Sequence, residues 1–553
     1  MTDALSLRKA RGAFFTPSEM TRFLCDWAIR SPSDLVLEPS AGEAAFLLAA
    51  GQRLRELGAP RRLAGRQLRG VELDGESAEA AERRLAAVDI SAEIRVADFF
   101  DMPATPTFDA VVGNPPYIRY QDFSGPSRAK GLRASLAQGV RLTGLASSWA
   151  AFTVHAAQFL KPHGRLALVL PAELLSVTYA AQVRRFLLER FATLRLVMFE
   201  ELVFPGVLEE VVLLLAEGNG PGQSFEVCQV KHLGELGSLD RAPWTWYRPE
   251  RGDKWTHALL PPEALIAYRQ LTPTAGGAFA PLLMWGETYL GAVTGNNRYF
   301  TLCSDDITAL GLKNVDWLPC SPPGSRHLQG LKFGDHDWEE LASNGERCYL
   351  FAPSRDKPTP AANKYIRAGE SEGVNRAYKC RTRKPWWRVP TVKVADLLLT
   401  YMDHERPRLV ANEARVHHLN SLYGVGLRHG LRELGRDLLP LASINSVTLL
   451  GAELVGRAYG GGLLKLEPNE ADLMPVPSES TLKSAAVDLR GVRAQVGRAL
   501  QENALWEAVR IVDRVVLRKH LGIKPSAIAA LHQAREILFS RRVSRGRGAR
   551  VEN

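Results

Sequence analysis

Phe108-Asp109-Ala110-Val111-Val112-Gly113-Asn114-Pro115-Pro116-Tyr117 is an apolar run closed by two consecutive prolines. The run reads as a buried strand. The prolines forbid the strand or a helix to continue, so the backbone must turn out rigidly at Asn114. The turn offers the amide oxygen of Asn114, the carbonyl of Pro115, and the aromatic face and polar tip of Tyr117. That set suits a flat substrate with an amino group, such as adenine, whose amine lone pair is delocalised into the ring. Two acceptors holding the amine hydrogens favour a pyramidal nitrogen with its lone pair free. On these residues alone a stiff turn without chemistry is an equal alternative, and the surroundings have to decide.

Upstream, Asp34-Leu35-Val36-Leu37-Glu38 reads as a buried strand. It is followed by the small-residue turn Pro39-Ser40-Ala41-Gly42-Glu43-Ala44-Ala45 and the apolar helix that Phe46 opens. Strand, small-residue turn and helix form the nucleotide-binding corner of a doubly wound sheet, where small side chains let a ligand approach the backbone. Leu68 to Asp74 is a second strand whose Glu72 is placed to accept from ribose hydroxyls. Ala92 to Phe100 is a third strand, ending at Asp98. Glu38, Glu72, Asp98 and Asn114 therefore close successive strands, and in an open parallel sheet such ends share one crevice. The expected fold is a Rossmann-like α/β sheet.

Three motifs in this order carry a resemblance. They are Gly12-Ala13-Phe14-Phe15-Thr16-Pro17, then Glu38 to Phe46, then Asn114 to Tyr117. The chain resembles the gamma-class adenine-N6 DNA methyltransferases, which depend on S-adenosylmethionine. The resemblance implies that Phe15, Thr16, Pro17, Glu38, Pro39 and Gly42 bind that cofactor together with Asn114. It implies that Glu72 holds the cofactor's ribose and that Asp98, with Phe99 beside the ring, contacts its adenine. It also implies that Asn114, Pro115, Pro116 and Tyr117 form the catalytic loop, with Phe204 on the opposite face of a flipped base. One departure is Ala44, where the family usually has a second glycine.

The stretch Ile118 to Leu142 is polar and basic, and Arg119, Arg128 and Lys130 suit a mobile segment over phosphates as well as a solvated loop. Leu194–Phe199 and Val211–Ala216 read as the last two strands, and Gly218-Asn219-Gly220-Pro221-Gly222 as a linker. A catalytic domain is thus expected over 1–220, a DNA-recognition domain of mixed α+β structure over 221–480, a helical region over 481–540 and a basic, disordered tail over 541–553. The densest basic and aromatic cluster is Lys379 to Arg388. With Asn296 and Arg298 it supplies the candidate DNA contacts Arg381, Arg383, Lys384, Trp386 and Trp387. Thr294-Gly295-Asn296-Asn297-Arg298-Tyr299-Phe300 and Arg383-Lys384-Pro385-Trp386-Trp387 also resemble framework of the same family's recognition domains.

The 553 residues carry 70 Lys+Arg against 60 Asp+Glu, a net charge of +10 that suits a polyanionic partner. Double-stranded DNA is the expected partner, with a separate restriction nuclease as a further one. Six scattered cysteines without metal spacing, and no apolar run of membrane-spanning length, lead to the expectation of a reduced, cytoplasmic protein without a metal or a membrane. The function expected is sequence-specific methylation of adenine N6 in a restriction-modification, defence or epigenetic setting. The alternatives are a noncatalytic DNA-binding subunit that keeps a methylase fold, and a methyltransferase acting on cytosine N4, RNA or a protein glutamine.

Overall fold

The computed structural model describes residues 16–60, 67–201, 203–204, 210–250, 254–273, 276–354 and 356–547. Phe15 lies outside them. The chain divides between Ala258 and Leu259 into two compact units.

The first unit is built on a nine-stranded sheet in the order β3-β2-β1-β4-β5-β7-β6-β8-β9. Its strands are β1 (Val36–Glu38), β2 (Leu68–Glu72), β3 (Glu93–Val96), β4 (Phe108–Gly113), β5 (Leu160–Pro171), β6 (Thr193–Phe199), β7 (Val211–Glu217), β8 (Phe225–Val230) and β9 (Thr245–Tyr247). β1 pairs in parallel with both β2 and β4, and β4 in parallel with β5. β7 runs antiparallel between β5 and β6. The strand order reverses beside β1, so the carboxyl ends of β1, β2 and β4 flank the switch point at which doubly wound sheets bind ligands. Buried strands covered by helices explain the near-continuous apolar runs of β4, β5 and β7. One core cluster joins Leu24 of α1 (Ser18–Ala28) and Phe46 and Leu47 of α2 (Ala45–Glu56) to Val112, Val169, Val197 and Leu213 on the sheet. The Rossmann-like expectation holds.

Three expectations for this unit need correction. β6 and β7 are not the last strands, because β8 pairs in parallel with β6 and β9 pairs with β8. Gly218–Gly222 is therefore a turn inside the sheet domain rather than a linker, with Gly222 N–H bonded to Leu188 O at 2.7 Å. Small turn residues mark a reversal, and a reversal between strands looks the same in sequence as one between domains. The stretch Ile118 to Leu142, expected as a mobile segment or a solvated loop, also folds in part. Gly125–Ala137 is a helix, and its Gly131 faces Phe100 and Ala151 so closely that an added Cβ would lie 3.0–3.1 Å from them.

The second unit carries a five-stranded sheet of Gly286–Leu290, Tyr423–Leu427, Leu397–Leu399, Leu409–Asn412 and Lys332–Phe333, together with smaller sheets and a set of helices. This is the expected mixed α+β domain. The carboxyl-terminal helices are not a separate region. Leu482, Leu489, Val509, Val512, Val516 and Leu531 share one core with Leu397, Val425, Leu438 and Val447. The expected break at Lys524-Pro525 is present, since the last helix starts at Pro525. That helix runs on to Arg547, so residues 541–547 do not form a disordered tail. Arg542 is 3% exposed and pairs bidentately with Glu453, at 2.7 and 3.0 Å. It also donates to the carbonyls of His404 and Gly462. A basic run read as a solvated end hides an arginine whose charge is paired and whose three nitrogens all donate.

Among the described residues no single helix is long and apolar enough to cross a membrane. Arg542→Ala leaves Glu453 buried without its partner, which costs about 3–5 kcal/mol. Urea unfolding of the second unit is expected to shift by that amount, whereas a fully solvated Arg542 would leave it unchanged.

Candidate active site and cofactor loop

Prolines carry no N–H, so the turn after β4 cannot stabilise itself by a backbone ladder and must find donors and acceptors elsewhere. Ser148, the first residue of the helix Ser148–Ala156, supplies them. Its hydroxyl donates to Pro116 O and accepts from Ile118 N at 2.9 Å, and its own N–H donates to Ile118 O at 3.0 Å. The next residue, Trp149, is fully buried. Its indole N–H donates to Tyr179 at 3.0 Å and to Glu173 at 3.3 Å, just beyond the end of β5. Tyr179 in turn donates to Glu173 at 2.5 Å, and burial, with the adjacent Glu173, pushes the phenol up. One helix start thus grips the proline turn on one side and the end of β5 on the other. On the remaining sides, Ser40 Oγ donates to Asn114 O at 3.2 Å and Tyr117 OH donates to Val169 O at 3.0 Å.

The Asn114 side chain is oriented by Thr16. Its Nδ2 donates to Thr16 Oγ1 at 3.2 Å, and Thr16 is buried. Oδ1 is then turned the other way, buried and without a hydrogen-bond partner among the described residues. An unpaired buried acceptor costs about 1–3 kcal/mol, a penalty that a donor entering the site would remove. Pro17 caps the following helix through its carbonyl, which accepts from Met20 and Thr21. The amino-terminal motif therefore meets the proline turn directly, although sequence places them 98 residues apart.

At the switch point Glu72 accepts from Gly42 N at 2.8 Å and from Asp74 N at 2.9 Å, which ties the end of β2 to the small-residue turn after β1. Gly42 has φ +50°, and a Cβ built on it meets nothing within 4 Å. A side chain would fill that open space and strain the turn, so glycine keeps the backbone accessible there. Glu38 plays a different part. It is buried and accepts from Leu47 N at 3.0 Å at the start of α2. Burial, with Glu72 nearby, pushes its carboxyl well above the usual range. It anchors the loop from beneath, and Pro39 beside it is buried too. Ala44, the departure from the family pattern, adopts φ +66°. The position demands the left-handed conformation that glycine takes freely.

Asp98 accepts from Phe100 N at 3.0 Å and faces Lys130 Nζ at 3.7 Å. Lys130 also donates to Asp101 at 2.6 Å, which places it beside the acids and not free for phosphates. Arg128 is similarly occupied, donating to the carbonyls of Tyr120, Phe123 and Gly144. Arg119 is exposed. Phe99 is turned inward, stacked at 5.4 Å on Phe152 and at 5.2 Å on Phe159, with His155 edge-on at 4.7 Å. Phe204 is 3% exposed and packs in the core cluster against which Tyr117 also rests. Among the described residues no His, Cys, Asp or Glu group has a metal-binding arrangement.

In the second unit the candidate DNA contacts divide. Asn296 caps a short helix by accepting from Tyr299 N at 3.2 Å, and Arg298 is exposed. Arg383 donates to the carbonyls of Thr294 and Val293, Trp386 to Glu370 at 2.9 Å, and Trp387 is buried. Arg381 and Lys384 face solvent.

Residues 3–229 match the family model "N-6 DNA Methylase", and residues 252–517 match that of the "Type II methyltransferase M.Eco57I, C-terminal domain". The amino-terminal part of the chain is thus similar to the N-6 DNA methylases, and the rest to the carboxyl-terminal domain of a type II methyltransferase. The chain is 23% identical over 475 residues to the type II methyltransferase M.AccI of Acinetobacter calcoaceticus, covering 84% of this chain and 85% of that one. It is 26% identical over 506 residues to M.XamI of Xanthomonas campestris pv. amaranthicola, covering 87% and 88%. Among solved structures, the type IIG restriction endonuclease BpuSI aligns over 99% of this chain and 68% of its own, at 14% identity and a TM-score of 0.45. The chain is a DNA methyltransferase, and its cofactor is S-adenosylmethionine. The open face of Gly42 and the carboxylate of Glu72 beside it fit that cofactor.

Two outcomes test the site. Ser148→Ala removes the hydroxyl that grips the proline turn, and displacement of a reacting group by about 1 Å costs about 100-fold in rate. A kcat drop of that order is expected with KM for the cofactor unchanged, and Ser148→Thr should rescue it; a loss confined to cofactor KM contradicts the positioning role. Ala44→Gly relieves a left-handed alanine, about 1–2 kcal/mol, against about 0.4–1 kcal/mol of added unfolded-chain entropy. Thermal unfolding should show a small gain or no change, and a clear loss would mean the turn is unstrained.

Proposed function

We propose that this methylase transfers a methyl group to N6 of adenine in double-stranded DNA, acting on a base rotated out of the stack in a restriction-modification or related defence or epigenetic setting. Adenine N6 in a duplex is paired and inaccessible, so a pocket at the strand ends requires extrusion of the base. The observation that carries this reading is the buried, unpartnered Oδ1 of Asn114, an acceptor held open by the Thr16 contact on its own amide.

When bound, S-adenosylmethionine supplies a methyl group on a sulfonium, already activated for transfer. The protein is left with positioning. Asn114 Oδ1 takes one hydrogen of the amine and the Pro115 carbonyl the other, which draws the lone pair out of conjugation with the ring. Tyr117, fixed by its bond to Val169 O, lies against one face of the base. Phe204, packed in the same core cluster as Tyr117, is the residue assigned to the other face. Glu72 accepts from the cofactor's ribose hydroxyls while holding Gly42, and Asp98 receives its adenine. Phe99 backs that pocket from within its aromatic cluster.

Asn114→Ala removes the acceptor and leaves Glu72 and Gly42 untouched. Methylation is expected to fall at least about 100-fold, the cost of losing one oriented polar contact to the reacting group, while calorimetric affinity for S-adenosylmethionine stays within about twofold. A parallel loss of cofactor affinity would mean the loop holds the cofactor rather than the amine.

A further inference from the structure

Between Gly373 and Val389 the chain carries six cations, Arg376, Lys379, Arg381, Arg383, Lys384 and Arg388, and no acid. The fold sorts them. Arg383 alone turns inward, its guanidinium donating to Thr294 O at 2.8 Å and to Val293 O, and the other five are exposed. At their centre is the short helix Tyr378–Arg381, whose Cys380 is buried against Thr294 O at 3.8 Å. Its Tyr378 is 65% exposed, with Lys379 Nζ 5.7 Å and Arg381 Cζ 5.4 Å from the ring centroid.

The Thr294-Gly295 turn is the support beneath this helix. Gly295 has φ +85°, and a Cβ there would lie 2.8 Å from Lys379 Cβ, so the turn touches the helix where no side chain fits. The motif that resembles recognition-domain framework thus holds a second element in place. Trp386, tilted on Tyr299 at 5.7 Å, supports the same cluster from behind.

The geometry points to the Tyr378–Arg381 helix, with the exposed Arg376, Lys384 and Arg388 flanking it in the chain, as a surface that grips duplex DNA, resting on DNA being the substrate as in the proposed function. Lys379 and Arg381 neutralise backbone phosphates, and the Tyr378 ring lies against a sugar or base edge between them. An exposed aromatic flanked by cations, on a stretch of chain that itself carries no acid, matches a polyanion that presents both charge and flat apolar faces. Arg383, Trp386 and Trp387 position this surface and do not touch the nucleic acid.

The test measures binding of the full-length protein to a mixed-sequence DNA duplex across a salt series, alongside methylation with labelled S-adenosylmethionine. Two phosphate contacts at about 0.9 each predict that Lys379→Gln/Arg381→Gln lowers the slope of log affinity against log salt by about 1.8. Tyr378→Ala should weaken binding about fivefold or more without changing the slope or the unfolding temperature. The exposed pair Arg514→Gln/Arg518→Gln serves as the control for general electrostatics and should lower the slope by less than half as much. Unchanged binding in both helix variants, or an equal slope change in the control pair, overturns the surface. If the variants behave as expected while the wild type transfers no label, the surface stands and the methylation reading fails.

Discussion

A turn made of two prolines has carbonyls to satisfy and no N–H groups of its own to offer, so its shape is decided by what grips it from outside. Here the grip is the hydroxyl of Ser148, which bonds to both sides of Pro116-Tyr117. The rest of the site depends on that contact. With the backbone of the loop held by Ser148 and Ser40, the Asn114 side chain is free to be oriented by Thr16, and its oxygen is left as an open acceptor. The sheet contributes the frame, since the parallel pairing of β1 with β2 and β4 brings Glu38, Glu72 and Asn114 to neighbouring strand ends.

The parts legible in the sequence were those with a local physical signature. Strand-length apolar runs, prolines after β4, and acids or amides at successive strand ends were enough for the sheet and for the small-residue turn at its switch point. What could not be read was how partners distant in the chain divide the work. Ser148 carries no signal beyond a serine pair before an apolar helix, a pattern that reads as a cap. Glu38, expected at the cofactor, is spent on the amide of Leu47 beneath the loop, and Phe99, expected beside the cofactor ring, is committed to Phe152, Phe159 and His155. Lys130 and Arg128 look like phosphate ligands in sequence because charge is visible there and the acids and carbonyls that claim it are not.

The same limit applied to the second unit. The cluster Lys379 to Arg388 reads as one basic and aromatic patch, yet folding turns Arg383 and Trp387 inward and leaves Lys379, Arg381 and Lys384 in solvent beside Tyr378. The Gly218–Gly222 turn and the arginine-rich end depart from expectation for a related reason. Glycine and arginine mark exposure on average, and here β8 continues the sheet past one while Glu453 binds the other.

Whether the open acceptor on Asn114 receives the amine of adenine is decided by nucleoside analysis, by mass spectrometry, of duplex DNA after incubation with the protein and S-adenosylmethionine. N6-methyladenine is expected as the new nucleoside. N4-methylcytosine in its place, or unmodified DNA from protein that binds both cofactor and duplex, would contradict that assignment.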